Sequence, residues 1–224
     1  MLVSNESTGP NMNVQVTIKY LFDRVFGLLL LVLLWPLFVA IAFAIWLNDR
    51  GPVFFKHQRP GLGAQPFDVW KFRTMVVDAD RLLDEDGRVT GSRITGVGGV
   101  LRKVSLDELP QLINIVKGEM SLVGPRPAVM EHLPRYTEEQ MGRFRMKPGI
   151  TGLAQISGRN TLKWSERIRL DNEYIDNYSL PLDARILRET VGVVLRREGI
   201  ALDRNPDAVD DLGPAHPDPG EGSG

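Results

Sequence analysis

At 224 residues and 43% hydrophobic composition, the chain can bury one real core, so a single domain with appended segments is expected. With no cysteine, a disulfide framework, a thiolate nucleophile and a thiolate metal site are all excluded, which leaves oxygen or nitrogen groups for any covalent chemistry. The net charge of -1 is uneven: residues 203 to 224 hold six acids against Arg204, so the body is at +4, mildly suited to anionic partners but no footprint for nucleic acid.

Residues 1 to 16 are polar and irregular and read as a flexible N-terminus. Val25 to Leu47 then run for 23 residues without a charge, enough for the ~20 residues of a membrane-spanning helix and too long for a cleaved leader. Pro36 sits in the middle and removes the hydrogen bond to the Val32 carbonyl. Two readings stay open, a straight anchor and a helix that enters one leaflet, breaks at Pro36 and leaves on the same side. Lys19 and Arg24 precede the segment, and the richer set Arg50, Lys56, Arg59, Lys71 and Arg73 follows it, which assigns the main domain to the cytoplasm.

Val53 to Arg59 and Phe67 to Met75 are β-branched and aromatic runs joined by Pro60-Gly61-Leu62-Gly63, the pattern of a hairpin. Period 2 puts Lys71 and Arg73 on one face and Trp70, Phe72 and Thr74 on the other. A short acidic helix is expected over 77 to 86 and a flexible glycine-rich loop over 87 to 99; the loop has neither the Walker nor the dinucleotide-binding spacing. Leu109, Leu112, Ile113 and Val116 fall on one helical face, stopped by Gly118. Pro125 and Pro127 pin Arg126 in an extended turn suited to holding phosphate. Residues 147 to 160 read as a second glycine-dense loop between Lys147 and Arg159. After a helix over 161 to 178, residues 183 to 198 form an Arg-rich amphipathic helix with Ile186, Leu187, Val191, Val194 and Leu195 on one face, either core or interfacial. The Pro, Gly and acid-rich stretch 201 to 224 reads as a disordered tail.

Ser105-Leu106-Asp107-Glu108 matches a capping box, with Ser105 or Asp107 as the N-cap and Pro110 inside the first turns. Asp107 and Glu108 are adjacent, so they diverge and do not face one sugar as glycosidase carboxylates must. Phosphoryl transfer is easier to build from them: one carboxylate attacks phosphorus while Lys71, Arg73, Arg102 and Arg126 cradle its oxygens.

The motifs taken in order are LysTyrLeuPheAsp (19 to 23), ArgProGly (59 to 61), LysPheArgThrMet (71 to 75), LeuArgLysValSerLeuAspGluLeuProGln (101 to 111), GlyGluMetSerLeuValGlyProArgPro (118 to 127), LysProGlyIleThrGly (147 to 152) and GlyArgAsn (158 to 160). Over residues 17 to 200 the chain resembles the bacterial sugar transferases of the monotopic polyprenyl-phosphate phosphoglycosyl transferase family. The resemblance implies an α/β membrane-associated fold: a Pro-broken re-entrant helix over 17 to 50, a small β-hairpin, several amphipathic and interfacial helices, and a cytoplasmic catalytic domain over 51 to 200. It implies transfer of a phosphosugar from a UDP-sugar to undecaprenyl phosphate with release of UMP, on the cytoplasmic face of a bacterial inner membrane, as the first step of glycan assembly. Asp107 is then the nucleophile, Glu108 assists, and Mg2+ binds beside Asp107 and Glu108. Lys71, Arg102 and Arg126 contact phosphates, Arg159 belongs to the nucleotide pocket, and Asp171 is a further site member. Two departures stand out: Trp35 replaces the small hydroxyl residue often found before the proline, and Thr95 to Gly99 lacks the basic residues of relatives. The exposed apolar helices leave two uses open, pairing protomers in a homodimer or meeting lipid alone. The rival from another class is a catalytically inactive, membrane-anchored scaffold that binds nucleotide-sugar.

Overall fold

The computed structural model describes residues 10–82, 93–158, 162–195 and 209–214. Its first element, helix α1 (Pro10–Asp49), is one continuous 40-residue helix with Pro36 inside it. At 1.5 Å per residue that is about 60 Å of rod. The break expected at Pro36 is therefore not an interruption of the helix. Proline forfeits the bond to the carbonyl of residue 32 and crowds that carbonyl, but the helix continues through it, with Leu34 and Phe38 packed against the domain on either side.

One face of α1 is buried and the other is bare. Gly27 lies against Ile115, where an added Cβ would come within 3.1 Å of the Ile115 side chain. Leu30, Leu31 and Leu34 pack on the main core, and Ile41 and Ile45 close a second cluster with Phe72 and Leu101. Leu29, Val32, Leu33 and Trp35 are exposed, a width of apolar surface that water does not favour. The helix is long and apolar enough to cross a membrane.

Both ends of α1 are fastened to the same domain by charge. Near its start, Lys19 Nζ lies 2.7 Å from Asp183 Oδ2 and 3.6 Å from Asp23. Tyr174 donates to Asp183 and Ser121 to Asp23, so a group of buried charges is matched by hydrogen bonds as such groups must be. At the other end Arg73 pairs with Asp49.

The hairpin forms as its alternation requires. Strands β1 (Phe54–Pro60) and β2 (Pro66–Phe72) pair antiparallel from Phe54↔Phe72 to Pro60↔Pro66. The short acidic helix expected after it is represented by a 3₁₀ turn over Ala79–Leu82; residues 83 to 92 lie outside the described residues. Helix α2 (Gly96–Lys103) occupies what the sequence offers as the end of a flexible loop. Thr95 caps it by accepting from the Gly98 amide, and Gly98 lets the helix lie on the Thr74 backbone, where any Cβ would collide with the carbonyl.

Helix α3 (Gln111–Lys117) buries Gln111, Leu112, Asn114 and Ile115; of the expected stripe Leu112 is buried, while Leu109, Ile113 and Val116 are only partly covered, so the covered face is turned toward Asn114 and Ile115. Asn114 explains the difference. It is wholly buried, accepts from the Trp70 amide at 3.0 Å, and donates to the Asp68 carbonyl and to Glu119, both at 2.7 Å, tying α3 to β2.

Two segments expected as turn and loop pair instead: β3 (Ser121–Val123) and β4 (Gly149–Thr151) form a short parallel ladder. Helix α4 (Glu138–Met141) carries a capping box, Thr137 with Gln140. Helices α5 (Leu153–Ser157), α6 (Trp164–Asp176) and α7 (Leu180–Leu195) follow. On α7, Ile186 and Val193 are buried, whereas Val191, on the face expected to be either core or interfacial, is 60% exposed. The segment 209–214 corrects the expected disordered tail. Arg135 grips Asp210 through both terminal nitrogens, Asp211 accepts from Ser165, and Leu212 is buried beside Ala128, Tyr136 and Phe144.

Candidate active site

The paired carboxylates sit in a 3₁₀ turn, Leu106–Glu108, not in the first turn of an α-helix. Ser105 adopts the left-handed conformation (φ 57°, ψ 22°) and makes no side-chain cap, so the expected capping box is absent. Pro110 stands at the N-cap of α3 instead, where its missing N–H costs nothing. In a 3₁₀ turn successive side chains point about 120° apart. That divergence gives Asp107 and Glu108 different surroundings.

Glu108 is enclosed by cations. Its Oε1 accepts from Lys71 Nζ at 2.8 Å and from Arg126 Nη2 at 2.7 Å, and Oε2 accepts from Arg126 Nη1 at 3.4 Å. Burial on its own would push this carboxyl up, but Arg126 and Lys71 hold it well below the usual carboxylate range. Asp107 is shifted the other way, raised by burial and then by the Glu108 charge, with Lys71 and Arg102 only partly opposing. One carboxylate is committed to an ion-pair cluster, and its neighbour is left as the more basic oxygen.

Each cation is placed by a separate element. Lys71 comes from β2, which Asn114 pins to α3. Arg102 closes α2 and donates through Nε to Thr74 Oγ1 at 2.9 Å. Arg126 is held by its backbone: its carbonyl accepts from Arg143 Nη2 at 2.9 Å, and the preceding Pro125 carbonyl accepts from Gly149 at 2.8 Å. Arg143 in turn meets Asp171 at 2.5 Å, with both side chains 1% exposed, and reaches the Tyr136 hydroxyl at 3.0 Å. Burial pushes the Asp171 carboxyl up to about 6 in spite of Arg143.

Thus Asp107, Glu108, Lys71, Arg102 and Arg126 come together as the sequence predicts. Arg73 lines the same cavity but is paired with Asp49. Asp171 stands behind Arg126, reaching it through Arg143. Arg159 lies outside the described residues. Sequence reasoning missed Arg143, whose partner is 28 residues away, and also Arg59, which donates to the Ala128 carbonyl at 3.1 Å and borders the basic cavity. The ArgProGly motif was the one available signal for Arg59.

A hard divalent cation such as Mg2+ takes one or two protein carboxylates and fills its shell with phosphate and water oxygens. Asp107 fits that demand. Glu108 accepts from Lys71 and Arg126 mainly through Oε1, while Oε2 has a 3.4 Å contact with Arg126 and keeps acceptor capacity. Among the described residues no group of three or more His, Asp or Glu gathers as a self-sufficient metal cage.

Comparison with known proteins identifies relatives over most of the chain. Residues 14–197 match the family model described as bacterial sugar transferase. The chain is 46% identical over 186 residues to the uncharacterized sugar transferase EpsL of Bacillus subtilis, covering 82% of this chain and 90% of that protein. It is 40% identical over 197 residues to the undecaprenyl-phosphate galactose phosphotransferase of Salmonella typhimurium, covering 81% of this chain and 41% of that protein. To the UDP-glucose:undecaprenyl-phosphate glucose-1-phosphate transferase of Escherichia coli it is 41% identical over 191 residues, again covering 81% of this chain and 41% of the relative. The chain belongs to the bacterial sugar transferase family.

Proposed function

We propose that the protein transfers a phosphosugar from a UDP-sugar to undecaprenyl phosphate, with Asp107 as nucleophile. The observation that carries this reading is the split electrostatics of the pair. Glu108 is neutralised by Lys71 and Arg126, while Asp107 keeps a raised pKa beside the same cations. The names of the Salmonella and Escherichia relatives support the lipid acceptor and the class of donor.

In the first step an Asp107 carboxylate oxygen attacks the phosphorus that bears the sugar. The bond from that phosphorus to the bridging oxygen breaks, and UMP leaves with the electron pair. In the second, a phosphate oxygen of the lipid attacks the same phosphorus and Asp107 is released as carboxylate, leaving a pyrophosphate-linked lipid sugar. A higher pKa gives the ionised Asp107 a more nucleophilic oxygen. Arg126, Lys71 and Arg102 face the charge that develops on the phosphoryl oxygens, and they do so from fixed positions that need no reorganisation. Mg2+ bound at Asp107 and the substrate phosphates would supply further charge neutralisation there. Glu108 acts as the hinge-point of the cluster, orienting Arg126 and Lys71. The bare apolar face of α1 supports a location in the membrane, and the cations that follow it support a site on the cytoplasmic face.

The test is UMP release by detergent-purified protein given undecaprenyl phosphate, Mg2+ and a panel of UDP-sugars. Asp107→Asn, which keeps the shape and removes the nucleophile, is expected to lose at least a thousandfold in rate. Full turnover in that variant would end the nucleophile assignment. Binding of UDP-sugar by the wild type with no UMP released would favour the scaffold reading.

A further inference from the structure

Two cavities meet at the catalytic turn, and Asp107 and Arg126 are the residues that line both. Their chemistries differ. The larger, about 830 Å³, is walled by the hairpin, the chain after it and Arg102 of α2; aromatic and aliphatic side chains such as Phe54 and Val77 line it, but cations outnumber acids there, with Arg59, Lys71, Arg73, Arg93 and Arg102 around it. The smaller, about 470 Å³, lies beneath α1, with Leu30, Leu34, Leu112, Leu122 and Ile150 in its walls. Its cations Arg126, Arg143 and Arg167 are balanced by Asp107, Glu108 and Asp171.

Gln155 adds an independent observation. It lines the smaller cavity from α5, and both its amide nitrogen and its amide oxygen are buried without a hydrogen-bond partner among the described residues. Buried polar groups in folded proteins are nearly always paired, and leaving an amide unpaired is costly. An amide that lines a cavity with both ends unpaired is suited to a ligand that both accepts and donates. A phosphate monoester near neutral pH does both, because its unprotonated oxygens accept and its remaining P–OH donates.

We propose that the two cavities divide the substrates, with Gln155 as a binding residue for the acceptor. This rests on the two-step reading given above. The nucleotide-sugar, polyanionic and polar, occupies the basic cavity. The lipid phosphate reaches Asp107 through the apolar cavity under α1, its first hydrocarbon units lying along Leu30 and Leu34 and its phosphate on Gln155. The substrates share only the reacting phosphorus, between Asp107 and Arg126. The separation has a physical basis: the six guanidinium and ammonium groups of the larger cavity outnumber its two carboxylates and suit a polyanion, whereas in the smaller cavity three cations are matched by three carboxylates beside an apolar wall that suits a hydrocarbon chain.

The experiment separates the half-reactions. Exchange of labelled UMP into UDP-sugar, measured without lipid, reports the first step alone; steady-state KM for undecaprenyl phosphate reports the acceptor. Gln155→Met keeps the side-chain length and removes both hydrogen-bonding ends, and its thermal midpoint is measured alongside to confirm folding. Expected are an exchange rate within about twofold of wild type and a KM for undecaprenyl phosphate raised tenfold or more, the loss of a hydrogen bond to a charged group. Arg102→Gln should slow exchange by a larger factor than it lowers kcat/KM for undecaprenyl phosphate. Exchange intact in wild type but lost in Gln155→Met in step with full turnover overturns the division of substrates alone. Wild type that neither exchanges UMP nor releases it without lipid overturns the two-step reading beneath it, and the division with it.

Discussion

Asp107 and Glu108 are separated by one peptide bond, yet burial and charge push their carboxyls in opposite directions. Only ionised Asp107 can attack phosphorus, so its raised pKa moves the acid limb of kcat/KM to higher pH than the ~4 of an ordinary aspartate. A pH profile should show that limb above the position of an ordinary aspartate; a limb at or below that position would remove the argument. In Glu108→Gln one raising charge is gone and Lys71 and Arg126 lose their partner, so both changes move the limb down. Asp171 makes a different prediction. Its folded pKa of about 6 lies above the unfolded value near 3.9, so the folded state binds its proton more tightly and stability falls as pH rises through that window. Asp171→Asn at neutral pH strands the buried Arg143 charge, and denaturant unfolding should show a loss of about 3–5 kcal/mol. The sequence made Asp107, Glu108, Lys71 and Arg126 visible because their motifs carry chemistry in residue type alone. It hid Arg143 and Gln155, whose meaning depends on burial and on partners distant in the chain.

Among the elements, the hairpin and the long apolar helix were legible because each repeats its own signal, period 2 for one and an uncharged run for the other. Helix α2 was not, since glycines lower helix propensity by up to ~1 kcal/mol each and read as a loop. Tertiary packing reverses that reading: Gly98 is small where the helix presses on Thr74, the residue that holds Arg102. Gly98→Ala should therefore destabilise despite its better propensity, by about 1–3 kcal/mol of overpacking. It should also slow UMP release by shifting Arg102, and an unchanged rate with raised stability would show that α2 can slide. The β3–β4 ladder was illegible for another reason: three-residue strands carry almost no periodicity, and their pairing is parallel and remote. The 209–214 segment escaped notice because its single buried apolar residue, Leu212, is surrounded by residues typical of disordered chain.

At the scale of the molecule, the domain touches α1 near Lys19 and again at Asp49. A helix crossing a bilayer separates its ends by ~30 Å of hydrocarbon, and a domain on one side could not hold both. Both ends should therefore face one compartment. The chain has no cysteine of its own, so Gln15→Cys and Asn48→Cys can each be labelled singly with an impermeant maleimide in vesicles. Labelling of both from the same side is expected; labelling from opposite sides would establish a spanning helix. The fastening of Lys19 to Asp183 also orders the molecule's assembly. The two residues are 164 positions apart, and a lysine buried without its counter-ion is strongly disfavoured. Until Asp183 arrives from α7, Lys19 has only Asp23 of its own helix, 3.6 Å away, as counter-ion, so α1 completes its seating after α7 has been made.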